Sequence, residues 1–431
     1  MTSLLILFFL IRAMSKYVVT GGVPLSGTVS VSGSKNAVLP LIAASILTDE
    51  PVTLTNVPDI SDVRDMAMII EELGGHVTFG DHSITMETKV LKTTEITGPA
   101  AKKIRASILF LGSLLGRAGE AVSPLPGGDA IGKRPIDSHL KAFQDLGAEV
   151  SQEKDVLRVS AQELVGNRIR LVEMSVTGVE NAILAAVKAK GMTEIRQAPF
   201  EPHVQDLCHM LNSMGAKITG IGTTTLYIDG VEKLSGVTHH VVPDYLETGT
   251  YVIAALVTKG HVIVENIDAD HLDILWNYLD QMGVRYTLEK TRIEIFPTEK
   301  LHKVKRIRTA IYPDFPTDLI APMAVLLTQC EGINKIFETL YEARLNYLIE
   351  LEKMGAQCQI INAHEALIVG PTKLRGTSVT SWDLRAGTAM VLAGLAAEGE
   401  TEVSEIKWID RGYENLDGKL RALGAKIERI G

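Results

Sequence analysis

The sequence predicts an α/β protein of six repeated units, each of about 70 residues, arranged as two similar domains of three units. A glycine recurs at nearly regular intervals where an amphipathic segment gives way to an alternating one, at Gly74, Gly147, Gly215, Gly283, Gly355 and Gly424. A second series keeps the same interval and consists of Pro51, Gly119, Gly191, Gly260, Gly332 and Gly399. The division into two domains follows from the length, because 431 residues exceed what one hydrophobic core usually supports.

The segments around the two series of glycines predict the elements of one unit. "FQDLGAEVS" is typical of an amphipathic helix that ends at a glycine in the left-handed conformation, after which a strand begins. "AAVKAKGMTEIRQ" predicts an alanine-rich helix, a glycine and an alternating strand. One unit should therefore run strand–helix–strand–helix–strand. We expect the most apolar helices to be buried, namely those within "AILAAVKAK", "YVIAALVTK" and "AMVLAGLAAE".

Composition limits the classes of function. Hydrophobic residues form 46% of the chain and charged residues 22%, as in ordinary globular proteins. The formal net charge of −9 argues against a general nucleic-acid-binding protein, so an anionic ligand would need a local cluster of basic side chains. The three cysteines, Cys208, Cys330 and Cys358, have neither a metal-binding spacing nor a disulfide pattern, and we expect reduced thiols.

The beginning of the chain contains an apolar run at residues 4–11. This run is too short to cross a bilayer, and it lacks the basic region and the cleavage site of a signal peptide. We interpret residues 1–13 as an upstream extension, with Met14 as the natural start. A cytoplasmic protein that does not associate with membranes is therefore expected.

Several basic residues stand beside predicted helix starts or turns. Lys35 and Asn36 come just before a helix, Arg105 lies in the first turn of a hydrophobic helix, and Pro135 begins another helix. Singly, such side chains are usually surface or capping groups. Together they would form one anion site if the two domains faced each other, because arginine suits bidentate binding of phosphate and carboxylate. The basic members of the set are Lys35, Arg105, Lys133, Arg134, Arg344, Arg385 and Arg411.

Two aspartates stand out in the loops. Asp129 follows two glycines in "SPLPGGDAIGKRPID", which is ordinary turn composition. Asp318 begins an apolar helix in "YPDFPTDLIAPM", where an N-cap is the simplest interpretation. The alternative for both is acid–base chemistry in a polar site.

Six segments carry a resemblance to a known family: "SGSKNA", "RASILFLG", "LPGGDAIGKRPID", "PDYLETGT", "FPTDLIAPM" and "IDRGYENLDGKLRALGA". Together they resemble the UDP-N-acetylglucosamine 1-carboxyvinyltransferases, the enolpyruvyl transferases of peptidoglycan synthesis, in register from about Tyr17 to the C-terminus. The enolpyruvyl transferases of the shikimate pathway share the six-unit fold but lack the loop "PGGxxIGxRPxD", so transfer to shikimate 3-phosphate is the second choice. A third hypothesis is a non-catalytic relative that binds the UDP-sugar.

The resemblance implies an inside-out α/β barrel of two three-unit domains, with the substrates between them. One domain would comprise residues 1–34 and 243–431, which hold the N-terminal segment and the last three units. The other would comprise residues 35–242, with the first three units and the catalytic loop 123–137. The resemblance implies neither a cofactor nor a metal, and it leaves the oligomeric state open.

The reaction that the resemblance implies joins phosphoenolpyruvate to the 3-hydroxyl of UDP-N-acetylglucosamine and releases phosphate. By motif match, Asp129 would be the acid at C3 of phosphoenolpyruvate and Asp318 the base at the hydroxyl, while Lys35 and Arg411 would supply positive charge. Phosphoenolpyruvate would contact Lys35, Asn36, Arg105, Arg134 and Arg411. The other substrate contacts would be Arg134, Pro135, Ile136, Asp137, Ser138, Glu173, Met174, Ser175, Val176, Asp318, Leu340, Arg344 and Arg385.

The sequence departs from the family pattern at three positions. Asp129 stands where the family commonly has cysteine, Glu173 where lysine is frequent, and His203 where an acidic residue is more usual. The loop cysteine is the residue that the epoxide fosfomycin alkylates, so Asp129 implies resistance to fosfomycin. We expect Gly127 and Gly128 to let the loop close, and closure over anionic substrates to favour the protonated form of Asp129.

Overall fold

The computed structural model describes residues 15–129 and 131–431, and within them the chain forms 13 α-helices and 23 β-strands. This is the mixed α/β composition that the sequence predicts. The prediction about residues 1–13 lies outside the described residues. Throughout the described part of the chain, no helix combines the length and the hydropathy that crossing a bilayer requires.

The helices are numbered in chain order. They are α1 Lys35–Ala44, α2 Ser61–Glu72, α3 Pro99–Lys103, α4 Leu109–Ala118, α5 Asp137–Asp145, α6 Val176–Ala186, α7 Pro202–Ser213, α8 Tyr245–Val257, α9 Asp273–Met282, α10 Ile320–Leu327, α11 Tyr347–Lys353, α12 Leu384–Ala396 and α13 Leu416–Ala422. Short 3-10 turns lie beside several of them, at Ser45–Leu47, Arg105–Ile108, Ala269–Leu272, Thr317–Leu319, Arg344–Asn346 and Ile406–Arg411.

The strands are short, with two to six residues each. They are β1 Lys16–Thr20, β2 Ser26–Ser30, β3 Val52–Thr55, β4 His76–Gly80, β5 Ser83–Glu87, β6 Glu120–Pro124, β7 Glu149–Glu153, β8 Val156–Ser160, β9 Arg168–Arg170, β10 Met192–Arg196, β11 Lys217–Thr219, β12 Thr225–Asp229, β13 Val237–His240, β14 His261–Glu265, β15 Tyr286–Glu289, β16 Arg292–Ile295, β17 Ile307–Arg308, β18 Gly332–Phe337, β19 Gln357–Asn362, β20 Glu365–Gly370, β21 Ser378–Thr380, β22 Glu400–Ser404 and β23 Lys426–Ile430.

The strands form six sheets, one for each predicted unit. In the sheet β11-β12-β10-β9, a parallel pair (β9 with β10) is extended by two antiparallel neighbours. The same pattern recurs in four other sheets, and the sixth, β6-β8-β7, has an isolated parallel bridge in place of its first strand. In five of the units the second helix is followed by a hairpin rather than by a single strand, and in the last unit the additional strand is β1. The predicted unit was therefore one strand short.

The chain separates into two compact halves with three sheets each. We call residues 15–32, 131–133 and 243–431 the terminal half, and residues 33–129 and 134–242 the central half. Each has its own hydrophobic core. The N-terminal strand β1 belongs to the terminal half because it pairs with β22 and β23 of the last unit. As predicted, the apolar helices α6, α8 and α12 are almost entirely buried.

The glycines that mark the units have the predicted conformation with one exception. All six of the first series have a positive φ, between 74° and 104°, at or just after the C-terminus of a helix. In the second series Gly260 does not, and Lys259 takes the left-handed conformation instead, with φ 51°. Gly260 is required for a different reason, since a Cβ atom there would lie 2.4 Å from the carbonyl oxygen of Leu25.

Candidate active site

In the terminal half, Asp318 lies between two buried arginines. Its Oδ1 accepts a hydrogen bond from Nη2 of Arg344 at 2.6 Å, and its Oδ2 accepts one from Nε of Arg385 at 3.1 Å. The side chains of both arginines are at most 3% exposed, whereas that of Asp318 is 27% exposed. Asp318 is inside the 3-10 turn that leads into α10, and the N-cap of that turn is Pro316. The N-cap interpretation of Asp318 is therefore wrong.

Arg385 has donors available for an anion. Its Nη1 and Nη2 atoms are buried, and neither has a hydrogen-bond partner within residues 15–129 and 131–431. Burial alone would lower the pKa of Arg385, but Tyr413, Asp318 and Asp244 together raise it above its ordinary value, so the guanidinium stays charged. Buried donors without a partner are costly unless a ligand completes their hydrogen bonds.

Tyr413 supports Arg385, and the sequence did not predict it as a site residue. The Cζ atom of Arg385 lies 5.1 Å from the centre of the Tyr413 ring, within range of a cation–π interaction. The hydroxyl groups of Tyr413 and Thr250 form a hydrogen bond of 2.8 Å. Tyr413 is only 3% exposed, so its ring is a fixed surface beneath the guanidinium.

The segment 338–344 brings further predicted residues to this cluster. Glu338 is fully buried, and its carboxylate accepts hydrogen bonds from the backbone N–H of Leu340 and from the hydroxyl of Thr317, both at 2.8 Å. Leu340 itself is 37% exposed. Because Thr317 precedes Asp318, Glu338 binds a side chain directly beside the cluster.

Arg411 ends the 3-10 turn Ile406–Arg411 of the terminal half. Its Cζ atom lies 5.7 Å from the ring of Trp408, and the side chain is half-buried. Arg344, which is fully buried, has its pKa raised above the ordinary value, since the carboxylates of Asp318, Asp383 and Glu338 outweigh the opposing effect of burial. Asp383 caps α12 through the backbone N–H of Arg385 and of the next residue.

In the central half, Lys35 begins helix α1 rather than preceding it, with Ser34 as the N-cap. The Nζ atom of Lys35 lies 3.5 Å from Oδ2 of Asp62, and the two side chains are 14% and 2% exposed. Asn36 is the second residue of the same helix and is half-buried. The first turn of α1 thus presents an ammonium group together with the backbone N–H groups of a helix N-terminus.

Arg105 and Arg134 lie together against the glycines of the predicted catalytic loop. Nη2 of Arg105 donates hydrogen bonds to the carbonyl oxygens of Arg134, at 2.6 Å, and Pro135, at 3.1 Å. A Cβ atom on Gly128, whose φ is 118°, would lie 3.0 Å from Nη1 of Arg134 and 3.1 Å from Cβ of Arg105. A Cβ atom on Gly127 would lie 1.9 Å from a backbone oxygen, so close packing as well as conformational freedom requires these glycines.

The two predicted nucleotide-binding stretches contact each other. Ser138 is buried, and its Oγ lies 3.4 Å from both the backbone N and the backbone O of Glu173. Ser175 caps α6 by accepting a hydrogen bond from the N–H of Gly178, while Met174 and Val176 flank it and are half-buried. Glu173 itself is exposed.

The helix predicted to begin at Pro135 begins two residues later. Its first residue is Asp137, which is exposed, and its N-cap is Ile136. The carbonyl groups of Arg134 and Pro135 precede α5, and both accept hydrogen bonds from Arg105.

His139 is a second residue that the sequence analysis missed. It is fully buried, and burial, with a smaller contribution from Arg105, lowers its pKa to about 3. The amide nitrogen of Asn181 lies 2.8 Å from Nδ1, and the hydroxyl of Thr177 lies 3.2 Å from Nε2. Because an amide nitrogen can only donate, Nδ1 accepts and the ring is the neutral Nε2–H tautomer.

None of the three cysteines is activated. Burial raises the pKa of Cys208, Cys330 and Cys358 to about 12 in each case. All three are free thiols. In the described part of the chain, no group of three or more His, Cys, Asp or Glu side chains is arranged to hold a metal ion.

Comparisons with known proteins match nearly the whole chain. The family model of EPSP synthase (3-phosphoshikimate 1-carboxyvinyltransferase) matches residues 19–420. A UDP-N-acetylglucosamine 1-carboxyvinyltransferase of Halothermothrix orenii is 44% identical over 417 residues, which cover 97% of this chain and 100% of that protein. The solved enolpyruvyl transferase NikO from Streptomyces tendae is similar with a TM-score of 0.88 and 26% identity, covering 97% of this chain and 99% of that one.

A more distant solved structure supports the fold alone. EPSP synthase from Acinetobacter baumannii has a TM-score of 0.75 at 17% identity, covering 97% of this chain and 100% of that one. The two structural likenesses confirm the predicted fold class, an inside-out α/β barrel of six repeated units.

Proposed function

Because the chain belongs to the enolpyruvyl transferase family, and within it to the UDP-N-acetylglucosamine 1-carboxyvinyltransferases, we propose that it transfers the enolpyruvyl group of phosphoenolpyruvate to the 3-hydroxyl of UDP-N-acetylglucosamine and releases phosphate. The reaction would be a committed step of peptidoglycan precursor synthesis and would take place in the cytoplasm. The observation that carries the proposal is the Asp318 carboxylate between two buried arginines, one of which has two buried N–H-bearing atoms with no partner among the described residues.

In the terminal half, Asp318 is the base that accepts the proton of the sugar hydroxyl. Its partial exposure leaves room for a substrate oxygen, and the hydrogen bonds from the two arginines fix the orientation of the carboxylate. Arg385 and Arg411 bind the carboxylate or phosphate of phosphoenolpyruvate, and the exposed face of Leu340 contacts the UDP-sugar.

In the central half, the first turn of α1 binds phosphoenolpyruvate through Lys35 and Asn36, where the ammonium group and the helix N-terminus favour an anion. Arg105 and Arg134 add charge beside the loop that carries Asp129. The nucleotide contacts are supplied by the start of α5, at Pro135, Ile136, Asp137 and Ser138, and by the turn before α6, at Glu173, Met174, Ser175 and Val176.

The proposed reaction is an addition followed by an elimination. The hydroxyl oxygen forms a bond to C2 of phosphoenolpyruvate while Asp318 takes the hydroxyl proton and Asp129 donates a proton to C3. In the elimination, the bond between C2 and the phosphate oxygen breaks as C3 returns a proton to Asp129, and the released phosphate takes from Asp318 the proton that the hydroxyl gave up. The arginines and Lys35 stabilise the negative charge that develops at the carboxylate and the phosphate.

The test is phosphate release from phosphoenolpyruvate with each of two acceptors. We expect release with UDP-N-acetylglucosamine and none above background with shikimate 3-phosphate. Release with shikimate 3-phosphate alone would transfer the proposal to the sister reaction. Binding of UDP-N-acetylglucosamine without any release would favour the non-catalytic relative.

A further inference from the structure

Glu342 contacts the backbone of the predicted catalytic loop, residues 123–137. Oε1 of Glu342 accepts a hydrogen bond from the backbone N–H of Lys133 at 3.0 Å. The backbone N–H of the next residue, Ala343, donates to the carbonyl oxygen of Ile131 at 3.1 Å. Two hydrogen bonds, one on each side of Gly132, therefore attach this piece of the loop to a single dipeptide of the terminal half.

The glycine between these two hydrogen bonds is explained by the same contact. Gly132 has a φ of 139°, and a Cβ atom on it would lie 2.5 Å from Oε2 of Glu342. Any other residue would be strained there and would push the carboxylate away. The pKa of Glu342 is lowered, first by the N–H of Lys133 and then by its own backbone N–H, so the group that receives the loop is an ionised carboxylate.

The segment 338–344 that carries Glu342 also binds the surroundings of Asp318. At its first residue, buried Glu338 accepts a hydrogen bond from the hydroxyl of Thr317. At its last residue, Arg344 donates to the carboxylate of Asp318 at 2.6 Å. One seven-residue segment thus contacts the loop backbone in its middle and the surroundings of the proposed base at both ends.

We propose that Glu342 is a positioning residue for the reaction proposed above. Its carboxylate holds the loop backbone at Lys133, beside the hydrogen bond between Ala343 and Ile131, in register with the segment that binds Asp318. It thereby sets the position of Asp129, which lies two residues upstream of Ile131. The catalytic consequence rests on the proposed function, whereas the contact itself does not. Glu342 acts through the backbone of the loop and not on the substrate.

Tryptic cleavage of the loop tests the contact without any substrate. Trypsin can cut the bond between Lys133 and Arg134, but the next bond is protected because Pro135 follows Arg134. In Glu342→Ala, we expect cleavage after Lys133 to be roughly tenfold faster, since a hydrogen bond to a charged group is lost. The cleavage rate of Glu342→Gln should lie between those of the parent and of Glu342→Ala, because the amide oxygen of glutamine still accepts a hydrogen bond.

The chain offers a matched control in Glu50. The side chain of Glu50 is 43% exposed, and its Oε2 accepts a hydrogen bond from the backbone N–H of Gly236 at 2.9 Å, in the central half, while its Oε1 pairs with Lys233 at 3.0 Å. Glu50→Ala removes a contact of the same chemistry from a place that the proposal does not use. We expect the parent rate of cleavage and the parent turnover.

The kinetic measurement separates a positioning role from a structural one. For Glu342→Ala we expect kcat for phosphate release to fall roughly tenfold, with KM for UDP-N-acetylglucosamine within about twofold of the parent value. Glu342→Gln should recover most of kcat. If the substitutions acted only by lowering the free energy of unfolding, Glu342→Ala and Glu50→Ala would behave alike and this pattern would not appear.

Three results would overturn the inference. Cleavage of Glu342→Ala at the parent rate would mean that Glu342 does not hold the loop. Faster cleavage with an unchanged kcat would leave the contact but remove its role in the reaction. A parent enzyme that releases no phosphate would overturn the proposed function and this catalytic role with it, while the tryptic comparison would still decide whether Glu342 holds the loop.

Discussion

Replacement of Asp318 by alanine tests the candidate site most directly, because its carboxylate both pairs with two arginines and is the proposed base. Arg344 and Arg385 are buried, and each donates one hydrogen bond to Asp318. Asp318→Ala leaves both guanidinium groups without this partner. The substitution should therefore lower the stability of the protein as well as its turnover.

The two losses have different sizes and different readouts. Removing one partner of a buried ion pair typically costs about 3–5 kcal/mol. Because the Asp318 side chain is 27% exposed and water can partly replace it, we expect a loss of unfolding free energy near the lower limit, about 3 kcal/mol. Loss of a general base should lower kcat of the folded protein about 10²–10⁴-fold.

Urea unfolding measures the first loss, and phosphate release under conditions where the variant is folded measures the second. Calorimetry should still detect binding of UDP-N-acetylglucosamine. A matched control is Asp417→Ala, since Asp417 is 7% exposed and accepts hydrogen bonds from Arg421, at 2.7 Å, and Tyr17, at 3.3 Å. The control should lose stability and keep kcat. If kcat of Asp318→Ala stays within about tenfold of the parent, Asp318 is a structural ion-pair residue and the base assignment is refuted.

Three further predictions use other residues. Lys35→Ala should weaken binding of phosphoenolpyruvate far more than binding of the UDP-sugar in calorimetry, and equal losses would contradict the assignment of Lys35 to the smaller anion. Fosfomycin should not inactivate the protein or leave an adduct detectable by mass spectrometry, because burial raises the pKa of each native thiol to about 12. Asp129→Cys should stay active and become sensitive to fosfomycin, whereas Asp129→Asn should be nearly inactive. An adduct on the parent protein, or an active Asn variant, would refute the role of Asp129. Burial lowers the pKa of His139 to about 3, so between pH 7.5 and pH 5 the unfolded chain binds a proton that the folded protein does not. The free energy of unfolding should therefore fall by about 2 kcal/mol over this range. In urea unfolding, His139→Gln should lose this part of the pH dependence, and the same pH dependence in both proteins would contradict the prediction.

The repeated architecture was predictable because the helix ends are marked locally. A left-handed residue at a helix C-terminus strongly favours glycine, so the six glycines of the first series indicate the period directly. The hairpin that closes five of the six units was missed, because its strands are only three to six residues long. The pairing of β1 with the last unit was not visible in local patterns either, since its partners lie about 400 residues away in the sequence.

The candidate site shows the same limit. Motifs identified Asp318, Arg344 and Arg385 as residues of interest, but they did not indicate that the three form one cluster, because the arginines lie 26 and 67 residues after the aspartate. The N-cap interpretation failed for this reason: a helix-start aspartate with two arginines in reach pairs with them. Tyr413 and Glu342 have no local signature, and only the folded chain shows what they contact.

The contacts around the loop bear on the exchange of cysteine for aspartate at position 129. Upstream, Gly127 and Gly128 pack so closely on their surroundings that a side chain at either would collide with backbone or with Arg134. Downstream, Gly132 is fixed by the carboxylate of Glu342. These restraints act on glycines and on backbone groups, so they do not depend on which side chain residue 129 carries. The loop backbone should therefore have the same conformation with aspartate or with cysteine at position 129. For this reason we expect Asp129→Cys to retain activity and to differ from the parent chiefly in its reaction with the epoxide.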